Sequence, residues 1–196
     1  MINDIRENLC RLKNLYDEVL VTDGLINNLM LDEAIKKSAE NIIECSRSGK
    51  KLILIGNGAS ASIASHIATD LWKNANIRAI AFNDAAGLTC VSNDLGYSQV
   101  FAKPIEMFAD PGDILIAISS SGKSENILHA TEKAIVNCLK VITLSGFKQD
   151  NPLRQMGNMN FYVPSDSYGQ VETMHQAICH VIVDSIVFEK EKGKLK

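Results

Sequence analysis

The sequence predicts an α/β fold, a doubly wound parallel sheet of five strands preceded by an N-terminal helical leader. After Gly49, short apolar runs of strand length alternate with segments of helical periodicity. Two of these runs are followed by stretches rich in glycine and serine, where a buried parallel strand would pass into a helix. Before Gly49, apolar residues recur at helical spacing from Ile5 to Val19 and from Leu31 to Ile43, which predicts two leading helices.

The expected elements follow one another without a linker or a repeat. Residues 1–48 form the helical leader, and residues 49–196 form the α/β core. The core is expected to contain strands at 51–55, 78–82, 113–118, 139–144 and 160–163, and helices at 60–73, 123–137 and near 170–192. A polar loop is expected through 83–97, and a short helix is expected after Pro152. The sequence therefore predicts one continuous domain over 1–196.

Composition and charge disfavour several classes of function. The 196 residues are 46% hydrophobic, which suits one α/β domain. Twenty Lys and Arg against 23 Asp and Glu give a net charge of -3 without a basic run, so direct nucleic-acid binding is disfavoured. The five cysteines are widely spaced and are expected to be reduced core residues. The N-terminus is charged and no apolar stretch approaches the roughly 18 residues that span a bilayer, so we expect a cytoplasmic protein without membrane contact.

The two glycine-serine loops are the main functional signal. Residues 57–62 and 119–124 each follow a predicted buried strand, and the carboxyl ends of such strands form the usual ligand site of this architecture. Backbone N–H groups, serine hydroxyls and a helix N-terminus can converge there on one phosphate. The first loop alone is equally compatible with a tight turn. The second contains more hydroxyls than a turn requires, which favours phosphate binding: Ser119, Ser120, Ser121 and Ser124.

Neither loop matches a nucleotide-binding motif. The first has Ala61 where the dinucleotide fingerprint requires its third glycine. The second has Ala117 where a P-loop has its first glycine. We therefore expect a phosphorylated small molecule and no nucleotide cofactor.

Two helices carry candidate acid and base groups. His66 and Asp70 are four residues apart and share one helix face, although a solvated polar pair has the same spacing. Glu172 and His180 are eight apart, an offset of about 80° and a rise of about 12 Å, so they share a face loosely. His175 lies about 140° from His180, so only one of these two histidines can point into a common site. A histidine on an otherwise apolar helix face is more often a core or interface residue than a catalyst, so a structural and a catalytic role stay equally open here.

Six strings of the sequence carry a family resemblance: Gly-Asn-Gly-Ala-Ser at 56–60, His-Ile-Ala-Thr-Asp-Leu at 66–71, Ser-Asn-Asp at 92–94, 117–126, Val-Ile-Thr-Leu-Ser-Gly at 141–146, and 172–180. Through them the chain resembles, from about residue 40 to 190, a sugar isomerase (SIS) domain, and within that superfamily the phosphoheptose isomerases, also called sedoheptulose 7-phosphate isomerases. The resemblance implies a flavodoxin-like SIS fold.

The resemblance implies a role for each matching position. Asp70 and His180 would pass protons between adjacent carbons through an enediol, converting a ketose into an aldose. Zinc would be bound by His66, Asp70, Glu172 and His180. The family also implies a homotetramer with active sites between subunits. The substrate phosphate and hydroxyls would contact Asn57, Gly58, Ala59, Ser60, Asn93, Asp94, Ser119, Ser120, Ser121, Ser124 and Glu172.

The chain departs from the family pattern at several site positions. The usual glutamate is Asp70, which withdraws the carboxylate by one methylene. The usual glutamine is Glu172, whose negative charge favours a metal. Gly169 and Gln170 replace an aspartate and an arginine, and Asn74 replaces an arginine. The sugar contacts are therefore expected to differ, and a related ketose phosphate fits as well as a heptose phosphate.

Two alternatives stay open at the sequence level. One is a non-catalytic SIS module, either a sugar-phosphate sensor or a scaffold that associates with the replication initiator; Asp70 and His180, which such scaffolds lack, favour the enzyme. The other is an isomerase for a shorter sugar phosphate such as arabinose 5-phosphate. Those enzymes usually carry additional regulatory domains.

Overall fold

A computed structural model describes residues 2–24 and 27–194. Within these residues, seven strands form one sheet in the order β2-β1-β7-β6-β5-β3-β4. The strands are β1 Leu20–Asp23, β2 Asn28–Leu29, β3 Leu52–Gly56, β4 Ala79–Ala81, β5 Ile114–Ser119, β6 Lys140–Ser145 and β7 Met159–Tyr162. The helices are α1 Ile2–Glu18, α2 Leu31–Arg47, α3 Ala59–Asn74, α4 Ala85–Leu95, α5 Ala102–Phe108, α6 Glu125–Val136 and α7 Tyr168–Glu189. Among them, none is both long and apolar enough to cross a bilayer.

The five strands β3 to β7 pair in parallel and confirm the doubly wound sheet that the sequence predicts. The chain winds from β3 outward to β4 and then returns past β3 to β5. The strand order therefore reverses between β3 and β5, and ligands of such sheets bind outside this switch point. Both glycine-serine loops leave the sheet at these two strands.

Helices cover the sheet on both faces because the central strands are apolar on both sides. In β3, Leu52 and Leu54 pack in a cluster with α1, α2, α3 and α7, whereas Ile53 and Ile55 pack against α5 and α6. All four side chains are fully buried. The face that carries α3 and α7 brings their polar positions together, and these positions include His66, Asp70 and His180.

The strand count of the prediction was too low. The leader contains β1 and β2 in addition to its two helices, and β1 pairs antiparallel with β7. This pairing extends the sheet beyond β7, whose edge would otherwise be free to pair with another chain. The β1 run is four residues long and directly follows the helical pattern that ends at Val19, so periodicity did not separate it from α1.

The predicted polar loop through 83–97 was also wrong, because residues 85–95 form α4. None of its residues is buried within the chain, so the apolar periodicity that reveals an amphipathic helix is weak. Its ends do carry ordinary signals. The Asp84 side chain accepts a hydrogen bond from the Gly87 N–H, and the helix stops at Gly96, whose φ is 88°. The predicted short helix after Pro152 is a 3-10 turn at Pro152–Gln155.

Candidate functional site

In the first glycine-serine loop, residues 57–62, only Asn57 and Gly58 lie between β3 and α3, because residues 59–62 form the first turn of the helix. Gly56 must be glycine because a Cβ there would overlap the backbone and Cβ of Ser60. Gly58 adopts a φ of 55°, a conformation that favours glycine, immediately before α3 begins at Ala59. This segment is therefore a tight turn, and it also places the N-terminus of a 16-residue helix at the switch point, where a ligand can reach it.

The second loop, residues 119–124, joins β5 to α6. Ser119 and Ser120 are buried, and the Ser119 and Ser124 hydroxyl oxygens lie 3.4 Å apart. The Ser121 hydroxyl accepts a hydrogen bond of 3.3 Å from the backbone N–H two residues later. The hydroxyls thus lie at the N-terminus of α6, in the arrangement that suits an anion.

A reciprocal pair of side-chain amides joins the two loops. Asn57 Nδ2 donates to Asn126 Oδ1, and Asn126 Nδ2 donates to Asn57 Oδ1, each at 2.9 Å. The Tyr97 hydroxyl also donates to Asn57 Oδ1, at 3.0 Å. The Asn57 side chain is therefore engaged with protein groups, and its backbone is the part best placed to serve a ligand.

Asn93 and Asp94 lie on the last turn of α4 and are exposed. Asn93 Nδ2 donates to Asp94 Oδ1 at 2.7 Å, and Cys90 Sγ lies 3.6 Å from Asp94 Oδ2. Tyr97 follows three residues later and contacts the first loop, which brings the end of α4 to the same edge of the sheet.

The structure brings His66, Asp70 and His180 together where α3 packs against α7. Asp70 Oδ2 lies 3.3 Å from His66 Nε2 and 3.7 Å from His180 Nδ1. The imidazole rings are edge to face, with centroids 5.1 Å apart. Asn74 Nδ2 donates to the other carboxylate oxygen at 3.2 Å. The carboxylate is 15% exposed and the two imidazoles 50% and 37%, so a solute can reach the imidazoles directly.

These three side chains have the donor types of a zinc site. Their ligand atoms all lie within 4.8 Å of one another. Tetrahedral ligands at about 2.1 Å from zinc lie roughly 3.4 Å apart, close to the 3.3 and 3.7 Å measured from Asp70 Oδ2 to the imidazole nitrogens. Two imidazoles and one carboxylate can therefore hold zinc and leave a fourth position for substrate or water.

Glu172 does not belong to this group of three. It is half-buried on α7, two turns before His180. Gln176 lies midway on the same row of the helix, and its Nε2 is 3.4 Å from His180 Nε2. The expected sharing of a site by Glu172 and His180 thus remains a prediction, with Gln176 as the direct neighbour of the imidazole.

His175 points away from this cluster, as the helical offset predicts. It is fully buried, and its Nε2 lies 3.1 Å from the Ser145 carbonyl oxygen. Burial lowers the His175 pKa to about 4, although the hydrogen bond to Ser145 acts in the opposite direction. The imidazole is therefore neutral at pH 7 and belongs to the core.

Sequence reasoning gave no contact in the site to four polar neighbours of the predicted residues, although it noted Asn74 as a departure from the family pattern. Three had a spacing signal: Asn74 is four residues after Asp70, Gln176 is four before His180, and Asn126 follows the second loop by two. Tyr97 had none, because it meets Asn57 only through the fold.

Comparisons with known proteins give the family of the chain. The sequence matches the SIS domain family over residues 25–146. A phosphoheptose isomerase of Helicobacter pylori is 36% identical over 162 residues, which cover 80% of this chain and 84% of the relative.

Solved structures of two further enzymes have the same fold. A phosphoheptose isomerase from Francisella tularensis is 33% identical, with a TM-score of 0.80 over 94% of this chain and 95% of that one. The phosphoheptose isomerase of Neisseria gonorrhoeae is 26% identical, with a TM-score of 0.82 over 94% of this chain and 97% of that one. The chain that carries these two loops and the carboxylate between two imidazoles thus belongs to the phosphoheptose isomerases of the SIS domain family.

Proposed function

We propose that this protein is an aldose-ketose isomerase that converts sedoheptulose 7-phosphate into D-glycero-D-manno-heptose 7-phosphate. One observation carries the proposal: Asp70 Oδ2 faces the imidazoles of His66 and His180, on a fold whose switch point carries the two glycine-serine loops. The family supports the reaction class, because the named relatives are sugar-phosphate isomerases. The non-catalytic scaffold does not explain why the carboxylate and both imidazoles meet.

The substrate phosphate would bind at the second loop, and the sugar hydroxyls would reach towards α3. The helix α3 begins at the first loop, and seven residues later, a rise of roughly 10 Å, it presents His66. A ligand that contacts both the loops and the imidazoles must therefore be elongated. A phosphate at the far end of a seven-carbon sugar satisfies this requirement.

The proton transfers follow from the positions of Asp70 and His180. The Asp70 carboxylate takes the proton from C1 of the ketose, while His180, whose Nδ1 faces Asp70, donates the proton on Nε2 to the carbonyl oxygen on C2, giving an enediol. Nε2 of His180 then takes the proton from the oxygen on C1, and the Asp70 carboxylic acid returns its proton to C2. The product is the aldose, and both side chains regain their starting protonation states.

We further propose zinc as the metal, with His66, Asp70 and His180 as protein ligands and Glu172 as the ligand that the family resemblance adds. Bound zinc would polarise the substrate carbonyl as a Lewis acid. The Glu172 carboxylate would need to approach the zinc from two turns before His180 on α7. We therefore expect Glu172 to contribute less to zinc binding than His66, Asp70 and His180.

We also propose a homotetramer located in the cytoplasm. Large apolar side chains are exposed on the leader and on the end of α7: Ile5, Leu9, Met30 and Phe188. A groove of about 1350 Å³ lies between the leader and α7, which supports burial of this surface by other copies of the chain. All five cysteines are free thiols, which supports a reducing compartment. Cys45 and Cys179 are buried as expected, whereas the expectation of a core position is wrong for Cys10, Cys90 and Cys138, which are exposed.

The test is turnover of sedoheptulose 7-phosphate by the purified protein in D₂O. We expect the aldose product to appear in the NMR spectrum with deuterium at C2, because a proton held on a carboxylic acid exchanges with solvent. Product that stays without deuterium after many forward and reverse turnovers would contradict the enediol route. If the protein turns over arabinose 5-phosphate but not sedoheptulose 7-phosphate, the substrate is a pentose phosphate and the heptose proposal is wrong.

The matched variants are His180→Ala and His129→Ala. His129 is an exposed histidine on α6 that contacts Gln99, away from the cluster. We expect His180→Ala to abolish turnover and His129→Ala to leave it intact. Equal loss in both variants would remove His180 from the mechanism.

A further inference from the structure

The second anion loop is supported from below by a buried asparagine that no sequence motif indicates. We propose that Asn151 is a positioning residue that holds residues 119–124 in their phosphate-binding conformation. This proposal rests on the phosphate-binding role given to the loop above.

Asn151 is fully buried and every polar atom of its side chain is used. Its Nδ2 donates to the Lys148 carbonyl oxygen at 2.8 Å, to Ser145 Oγ at 3.1 Å and to the Gly146 carbonyl oxygen at 3.3 Å. Its Oδ1 accepts from the Arg154 N–H at 3.1 Å and so begins the 3-10 turn. One carboxamide thus joins the end of β6 to the segment that follows it.

The same carboxamide lies directly beneath the loop. Gly122 has a φ of 62°, and a Cβ on this residue would overlap Oδ1 and Cγ of Asn151. The Gly122 carbonyl oxygen accepts from the Leu153 N–H at 3.2 Å, two residues after Asn151. The loop therefore rests on Asn151 with no space for a side chain between them, and Gly122 is glycine for this reason as well as for its conformation.

The end of β6 that Asn151 holds also contacts the loop. The Gly146 N–H donates to the Ser120 carbonyl oxygen at 2.9 Å. A Cβ on Gly146 would come within 2.8 Å of the Val171 side chain, so α7 closes on its other side. His175, four residues further along α7, bonds the Ser145 carbonyl oxygen. The end of β6 thus holds the loop backbone in place, and the Asn151 side chain contacts both the loop and the end of β6.

A phosphate site made of backbone N–H groups depends on their orientation. Such groups are preorganised when the peptide planes are held by other bonds, and binding then does not have to order them. Loss of the Asn151 carboxamide leaves a void under Gly122 and an unpaired Ser145 hydroxyl, so the loop can relax. The acid and base lie on α3 and α7 and do not contact Asn151, so their step is not affected.

The experiment compares Asn151→Ala and Asn151→Ser with Asn160→Ala in the full chain. Asn160 is a matched control because it is also buried and bonds Gly157, Thr143 and Thr22, none of which belongs to either loop. Serine at 151 keeps an oxygen for the Arg154 N–H but lacks the carboxamide under Gly122. The readouts are the affinity for inorganic phosphate by calorimetry, KM, kcat, the pH profile of kcat, and the melting temperature.

We expect both Asn151 variants to bind inorganic phosphate about tenfold more weakly and to raise KM by a similar factor, with kcat and its pH profile unchanged. Serine should recover part of the melting temperature but none of the affinity. The Asn160 variant should lose stability without losing affinity. Equal affinity in the wild type and both Asn151 variants would overturn the proposal, as would affinities that merely follow the melting temperatures of all three variants.

The phosphate measurement separates this proposal from the proposed reaction. A wild type that binds phosphate but turns over no sugar phosphate would refute the isomerase function, and the comparison of variants would still decide the role of Asn151. A wild type that binds no phosphate would overturn the role of Asn151 directly.

Discussion

Asn57 and Asn126 exchange two side-chain hydrogen bonds of 2.9 Å and thereby join the loops that leave β3 and β5. Asn126 is buried, whereas Asn57 is partly exposed. The pair lies at the switch point of the sheet, where the two helix N-termini would share one ligand. Its geometry fixes the separation between the two loops.

We expect Asn126→Ala to destabilise the fold by about 1 to 3 kcal/mol, since it leaves the Asn57 amide without its partner in a partly buried position. KM should rise because the two loops lose their fixed separation. Chemical denaturation and steady-state kinetics measure these effects. Tyr97→Phe removes only an exposed donor, which water can replace, so its effect should be smaller. A larger effect of Tyr97→Phe would contradict the central role of the amide pair.

Asp70→Asn should lower kcat by about 10² to 10⁴-fold, because the amide cannot accept the proton from carbon. Stability should change little, since the amide oxygen can still accept from Asn74. Asp70→Glu keeps the carboxylate and restores the usual family residue, so it should retain more activity than the asparagine variant. Similar rates for the wild type and Asp70→Asn would exclude this carboxylate as the base.

The zinc content of purified variants tests which residues bind the metal. We expect about one zinc per chain in the wild type, and a large loss in His66→Ala, which leaves one imidazole and one carboxylate of the three-residue group. Glu172→Gln should retain zinc, because Glu172 lies outside that group. Mass spectrometry of untagged protein gives the content. Zinc loss in the Glu172 variant would favour the four-ligand set that the family resemblance implies.

The sequence predicted the elements whose burial creates a clear period. The buried strands β3, β5 and β6 each begin and end within one residue of the prediction, because apolar residues fill both of their faces. α4 was missed since neither of its faces is buried within the chain, although the cap at Asp84 was present. β1 was missed because four residues provide too few positions to distinguish a strand from the end of a helix.

The site also contains some contacts that residue spacing predicts and others that only the fold creates. His66 and Asp70 share one helix face, which their spacing predicted, and the structure adds a distance of 3.3 Å. The approach of His180 depends on how α7 crosses α3, a tertiary relationship that spacing does not contain; only the family resemblance linked it to Asp70. Tyr97 acts through a contact that exists only in the folded chain, and no local pattern marks it. Asn151 stands at the start of the predicted short helix, but its position beneath Gly122 depends on the fold.

The exposed apolar face of α1 predicts association between copies of the chain. The double variant Ile5→Glu and Leu9→Glu should reduce the proposed tetramer to smaller species, because it places charges on side chains that are 55% and 61% exposed in one chain. Monomer stability should change little, since neither residue is buried. Light scattering after size exclusion gives the mass.

Asn14→Glu is the control, because it places the same charge at an exposed polar position about 180° from Ile5 on the same helix. This comparison is sharper than removal of residues 1–30, which would also remove β1 and expose the edge of β7. An unchanged mass in the double variant would place the interface elsewhere.

The buried imidazole of His175 predicts how stability depends on pH. Its folded pKa of about 4 lies below the ordinary value of 6.5, so between these values the unfolded chain binds a proton that the folded chain does not. Its contribution to stability is therefore complete above pH 6.5 and falls as the pH drops towards 4, by roughly 3 kcal/mol in total. Urea denaturation at several pH values measures this slope. His175→Gln should abolish it, whereas His129→Gln, on the exposed face of α6, should keep it; a slope that persists in the His175 variant would assign it to another group.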